Sequence, residues 1–353
     1  MSIKKSDFGI TEKGEQASLY TLKNTNGIVV KVSDFGAVLV EVHTPGREGK
    51  FEDIVLGYDN VHQYEKNRPG FGALIGRHAN RIKKAAFSLN GISYSLEEND
   101  GQNNLHSGRF GYQRRMWEAE SEESEFGSRV IFSLHSPDMD QGFPGNLDVK
   151  VSYTLSKDNA LILSYQAVAD ADTIVNLTNH SYFNLAGHAS GDVLSQKVWI
   201  DSDYFTEADA ESIPTGVILP VKGTPMDFNK KKAIKDGIDS NYEAVVLGHG
   251  YDHNWILKTE DGKVHLVACM EDEESGRGLK VYTNLPGMQF YTGNFLNGTE
   301  IGKEGVSYIR RSGACFETQY FPDSIHHENF KQAVLKAGEV YKSETIFEFY
   351  IIE

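Results

Sequence analysis

Cysteine is nearly absent. Two residues, Cys269 and Cys315, cannot build a disulfide framework, and they are not spaced as zinc ligands. Long apolar runs are missing too, and none approaches the ~20 residues of a membrane span. Behind Met1, Ser2, Ile3, Lys4 and Lys5 there is no apolar segment, so no secretory signal is expected. Basic residues are in deficit: 35 Lys and Arg against 50 Asp and Glu leave a net charge of −15. That balance argues against nucleic acid and anionic membrane as partners. No Gly-x-Gly-x-x-Gly or Walker-type loop occurs, which speaks against a nucleotide cofactor. No Gly-x-Ser-x-Gly elbow and no helical His-Glu-x-x-His pattern occur either. These absences lead to an expectation of a cytoplasmic protein, a monomer or weak homodimer, acting on a neutral small molecule.

What is present is strand. The 353 residues are 39% hydrophobic and 24% charged, an ordinary globular balance. The dominant period is two, as at 28–32, 37–42, 147–155, 279–283, 288–292 and 344–352. Residues 87–96 carry Asn90-Gly91 at their centre, a strong hairpin signal. Two short helices are expected, 60–67 capped by Asn60 and a weaker one at 230–239. The acidic stretch 118–125 reads as a solvated hairpin end. Many strands, 34 glycines and almost no helix predict an all-β fold, a large antiparallel β-sandwich formed as one domain over 1–353.

Several of these strands are too polar for a plain core. In 173–185, Val175, Leu177, Phe183 and Leu185 fall on one face, and Asn176, Thr178, His180 and Tyr182 on the other. The second face suits a cleft for a hydroxyl-rich ligand, or a half-buried strand whose histidine is merely hydrogen-bonded. Similar polar stretches lie at 76–82, 103–108, 250–255, 286–294 and 312–319. In the last of these, Glu317 interrupts a weakly polar strand. It is either functional or a structural partner of Arg or Lys, because a buried unpaired carboxylate is costly. Planar polar side chains can pair with vicinal hydroxyls, and aromatic rings can cover the C–H faces of a sugar. A metal held by His106, His180 and Asp252 is a weaker reading, since close ligand spacing is missing.

These stretches carry a resemblance. Gly76-Arg77 with Ala79-Asn80-Arg81-Ile82, Asn104-Leu105-His106, Thr178 through Leu185, and Gly223 through Phe228 resemble aldose 1-epimerases, also called galactose mutarotases. So do Gly250-Tyr251-Asp252-His253-Asn254, Gly287 through Asn294, and Glu317-Thr318-Gln319, all in family order across most of the chain. The resemblance implies a galactose-mutarotase-like supersandwich with an open cleft and no cofactor or metal. It implies interconversion of the α and β anomers of free hexoses, galactose or glucose, by ring opening and reclosure. Glu317 would be the general base and His180 the general acid, and Asn80, Arg81, His106, Asp252 and Gln289 would hold the sugar. The chain departs from the family at Ser107-Gly108, at 111–114 and at 324–329, which bears on the choice of sugar. Three other readings stand beside this one: a non-catalytic carbohydrate-binding module, a mutarotase acting on hexose 6-phosphate, and a polysaccharide hydrolase or lyase, the hydrolase using Asp252 as second carboxylate. The second needs positive charge, for which Arg77 and Arg81 are the candidates.

Overall fold

The computed structural model describes residues 1–352, and its regular structure is almost entirely antiparallel sheet. Strict alternation is what builds the larger layer. In Leu147–Ser156 the odd positions are buried and the even ones are exposed or partly so, as a sheet with one face on the core requires. Nine strands pair in the order Glu118–Glu123, Gly127–Ser136, Leu147–Ser156, Ala160–Ala169, Val340–Ile351, Arg277–Thr283, His265–Asp272, Lys197–Ile200, Lys232–Ala233. A second sheet of six runs Tyr182–Phe183, Ala314–Gln319, Gly287–Tyr291, Asp252–Ile256, Tyr204–Ala208, Pro214–Pro220. A third, of five strands, is formed by the first 53 residues in sequence order, from Ser2–Ile10 to Phe51–Asp53.

The six-stranded sheet lies on the nine-stranded one. Phe183 meets Phe347 at 4.9 Å between ring centroids, and Thr318 bonds Thr345 across the layers. Trp255, Met288, Phe290 and Phe316 fill the space between, in a cluster that also holds Leu163, Leu279, Val281 and Tyr20 of the N-terminal sheet. Burial of these side chains contributes ~1.5–3 kcal/mol each before the entropy of ordering is set against it.

Local signals act where expected. Ala86–Leu89 pairs with Ile92–Ser95 around Asn90 and Gly91, both at positive φ (52° and 77°), the backbone that a two-residue hairpin turn needs. The helix Val61–Glu65 starts at Asn60, whose side chain accepts the N–H of Gln63. The expectation of a helix at 230–239 fails. Lys232–Ala233 is an edge strand on Lys197–Ile200, and only Ile234–Asp236 turns, as 3-10 helix. The acidic stretch is not merely a hairpin end, because Glu118–Glu123 forms the edge strand of the large sheet. Its charges fit an edge that must not pair further. Among the described residues no helix is long and apolar enough to cross a membrane.

Candidate active site

The cleft lies where the six-stranded sheet meets a short strand pair. Pairing register determines which side chains share its floor. Glu317 stands opposite Gln289, and Gln289 opposite Asn254. In the next row, Cys315 stands opposite Tyr182 and Tyr291, and Tyr291 opposite Asp252. Residues two apart share a face, so Glu317, Gln289, Asp252, Tyr291 and Tyr182 look one way. Phe316, Phe290, Met288 and Trp255 look the other way, into the core.

The opposite wall comes from Thr178–His180, which pairs with Ala73–Ile75. The chain changes partner between His180 and Tyr182, and the next two residues pair with Ala314–Gln319 instead. The stretch 173–185 expected as one strand is therefore three short ones in three sheets, the first being Thr173–Ile174 on Val334–Leu335. Only His180 and Tyr182 of the expected polar face line the cleft. Asn176 instead ties Tyr320 and Ala79 together through their backbone, and Thr178 is buried.

All seven residues singled out by resemblance, Asn80, Arg81, His106, His180, Asp252, Gln289 and Glu317, line this one cleft of about 380 Å³. His180 Nε2 is 3.5 Å from Glu317 Oε1. On its other side, His180 Nδ1 is 3.7 Å from the buried thiol of Cys315. His106 sits edge-on to His180, with ring centroids 5.4 Å apart. The backbone N–H of Asn80 donates to His106 Nδ1 at 3.0 Å, so in the neutral ring the proton is on Nε2. Arg81 is held by Asp100 at 2.8 Å, and Gln289 donates its amide to Asp252 at 2.7 Å. Glu317 Oε2 and Gln289 Oε1 are buried with no hydrogen-bond partner among the described residues. Both belong to cleft residues, and such orphan acceptors suit a ligand rich in hydroxyl donors.

Burial dominates the electrostatics. It pushes the Glu317 carboxyl well above the usual carboxylate range; the Asp252 carboxylate adds to the rise and Arg81 opposes it. Burial lowers His180 to about 4, against a weak upward pull from its own backbone. His106 is also pushed down, by burial first and then by His180, Arg81 and His78. The empty cleft therefore favours uncharged forms of both members of the closest pair.

Ligand atoms of His106, His180 and Glu317 lie within 4.8 Å of one another, a set different from the one expected with Asp252. His106 is a poor ligand in this setting, because one ring nitrogen accepts a peptide N–H and the other carries the proton. It is built as a hydrogen-bond donor. Arg77, a candidate for an anion, is 1% exposed and donates to the carbonyls of Pro144 and Gly145 and to Ser136. It is a structural clamp.

Sequence reasoning did not place Asp100, Arg68, Arg114 or Tyr291 in the site. Tyr291 was detectable as the residue two past Gln289 on the same strand face. The other three lie in turns with no periodicity to read.

The family model described as aldose 1-epimerase matches residues 18–348. The galactose mutarotase of Rattus norvegicus is 39% identical over 351 residues, covering 99% of each chain. The aldose 1-epimerase of Escherichia coli (strain K12) is 36% identical over 340 residues, covering 95% of this chain and 96% of the other. The crystal structure of galactose 1-epimerase from Lactobacillus acidophilus superposes with a TM-score of 0.88 at 28% identity, covering 100% of this chain and 99% of that one.

Proposed function

This chain belongs to the aldose 1-epimerase family, and we propose that Glu317 and His180 carry the interconversion of α and β aldose anomers that the family performs. The observation behind this reading is the 3.5 Å between Glu317 Oε1 and His180 Nε2 on the floor of a polar cleft. The anomeric hydroxyl and the ring oxygen are bonded to one carbon. A base for the first and an acid for the second must therefore lie a few ångströms apart.

In ring opening, the Glu317 carboxylate takes the proton of the anomeric hydroxyl. The C1–O5 bond breaks as a C1 carbonyl forms, and His180 Nε2–H delivers a proton to the leaving ring oxygen. Rotation about C1–C2 presents the other carbonyl face. Reclosure then moves each proton back, with the two groups exchanging roles. The pair needs one proton between them. Burial raises the carboxyl and lowers the imidazole, and so disfavours charge on either. A bound sugar brings a hydroxyl donor to Glu317 and an acceptor to His180, and so favours the form with the proton on the imidazole.

C1 must turn freely while the rest of the sugar stays put. Asp252 with Gln289, Arg81 with Asp100, and the donor end of His106 are the groups for the remaining hydroxyls. Asn80 acts mainly by placing others: its N–H orients His106 and its Oδ1 accepts the N–H of Arg81 at 2.8 Å. D-Galactose and D-glucose are the substrates to test first. Polarimetry of fresh α-D-galactose with Glu317→Gln and His180→Asn checks the assignment. Each variant should lose ~10²–10⁴-fold, and near wild-type rates in either would remove that residue from the mechanism.

A further inference from the structure

The two walls of the cleft differ in charge. Glu317 and Asp252 come from the six-stranded sheet. On the His180 side the lining includes Arg68, Arg109 and Arg114. Arg109 is paired with Glu97 at 2.8 Å. Arg68 and Arg114 have no ion-pair partner and no side-chain hydrogen bond among the described residues. Two guanidinium groups left unneutralised in one cleft form an anion-recognition wall.

Both are held by pinned segments. The turn carrying Arg68 is closed by Asn67, whose side chain bonds both the N–H and the carbonyl of Phe71, at 2.8 and 2.9 Å. The Tyr182 hydroxyl donates to the carbonyl of Pro69 at 2.9 Å, with its ring 5.1 Å from that of His180. Arg114 ends the 3-10 turn Tyr112–Arg114, which bonds back to Gly76 at 3.3 Å, beside the strand that pairs with Thr178–His180. Two residues past Arg68 stands Gly70 at φ +77°, where a Cβ would meet His180 Cγ at 3.6 Å. Any longer side chain there would cover the ring, and glycine leaves the way open.

We propose that this cleft also accepts aldoses carrying an anionic group at C6, a carboxylate or a phosphate, with Arg68 and Arg114 as its counter-charges. The inference rests on His180 serving the ring oxygen. In a pyranose that oxygen is bonded to C5, which bears C6. A group on C6 therefore projects on the side of whatever touches the ring oxygen, which is the arginine-lined wall. The far wall, with the Asp252 carboxylate, would repel the same group, so orientation is selected by charge as well as by hydroxyl contacts.

The test compares mutarotation of D-galactose, D-galacturonate and D-glucose 6-phosphate in the wild type, in Arg68→Ala/Arg114→Ala and in Arg114→Glu. The readout is the kcat/KM of each anion relative to that of galactose. We expect this ratio to fall at least tenfold in the double variant and further in the charge reversal. It should also fall with added salt in the wild type, where the galactose value should hardly move. A fall with galacturonate alone assigns the wall to carboxylates, and one with the phosphate alone assigns it to phosphate esters; either supports the inference. A wild type inactive on both anions, or a ratio within twofold in the double variant, overturns it. Full galactose activity in His180→Asn would instead remove the underlying reading, an outcome separable from the other two.

Discussion

Replacing Glu317 by glutamine should cost activity and raise stability, and the second effect should depend on pH. The carboxyl is 2% exposed, its Oε2 has no partner, and its folded-state affinity for a proton is raised well above the ordinary 4.5. The folded protein thus holds this proton to higher pH than the unfolded chain does. Stability from this group is complete below the unfolded value and is lost as pH rises through the folded one. Glutamine keeps the shape, has no charge to desolvate, and can donate its amide to neutral His180. An unsatisfied buried acceptor costs ~1–3 kcal/mol. With an unfolding entropy of ~2.1 cal/mol/K per residue, 353 residues give ~0.7 kcal/mol per degree. The expected gain in Tm is therefore about 1–4 °C at pH 8, shrinking toward zero at pH 5. Thermal melts at the two pH values, run beside polarimetry, measure both effects on one sample. A variant within tenfold of wild-type activity would refute the assignment of the base. A gain in Tm that is absent, or equal at both pH values, would refute the argument that burial governs this carboxyl.

Three other expectations follow from the same geometry. The kcat/KM profile for galactose should hold a plateau that ends on the acid side near pH 4, where His180 takes a second proton into the pair, and not near 6.5. Its alkaline limb, where Glu317 gives up the shared proton, should lie above 4.5; an acid limb near 6.5 would show that the imidazole is not desolvated. Asp252→Asn should raise KM for galactose by roughly tenfold, about 1.4 kcal/mol for a lost charged hydrogen bond. It should also move the alkaline limb down, because the Asp252 carboxylate is one cause of the high Glu317 value; an unchanged limb with unchanged KM would make Asp252 scaffold. Arg77→Met, which strips the carbonyls of Pro144 and Gly145 of their donor, should destabilise by ~3 kcal/mol or more. Urea unfolding reads that loss, and a midpoint equal to wild type would contradict the clamp.

Legibility in the sequence followed the range of the interaction. The Asn90-Gly91 hairpin and the Asn60 cap are set by neighbours a few residues away, and both could be read directly. Residues 230–239 were misread because edge pairing with Lys197–Ile200 outweighs weak helix propensity. The short helix Glu243–Leu247 has five residues, too few to show a period. In 173–185, alternation picked out the apolar residues of the main core, Val175, Leu177, Phe183 and Leu185, but did not tell cleft from structural staple on the other face. His180 faces the cleft while Asn176, four residues earlier, bonds the backbone of Tyr320. Distance along the chain hides the rest. Asp100 braces Arg81, and Asn80 orients His106, through contacts that no local pattern encodes.

The separation of the proposed acid and base is governed by the point where one short segment changes sheets. Thr178–His180 is registered against Ala73–Ile75, and Tyr182–Phe183 against Ala314–Gln319. Only Ser181 lies between the two pairings, and its hydroxyl bonds back to Asn179 at 2.5 Å. His180 is thus anchored to one wall while its neighbour two residues on is anchored to the strand that carries Glu317. The span between imidazole and carboxylate is then fixed by three residues of chain and one register, not by the packing of two separate bodies. Such an arrangement places the two Cα positions that support the 3.5 Å contact, and neither backbone can shift without breaking a strand pairing. It also explains why so much polarity is tolerated in a fully buried stretch. Asn176, Asn179 and Asn184 donate their amides to the carbonyls of Ala79, Gly72 and Ser312, and so tie this segment to the chains on either side.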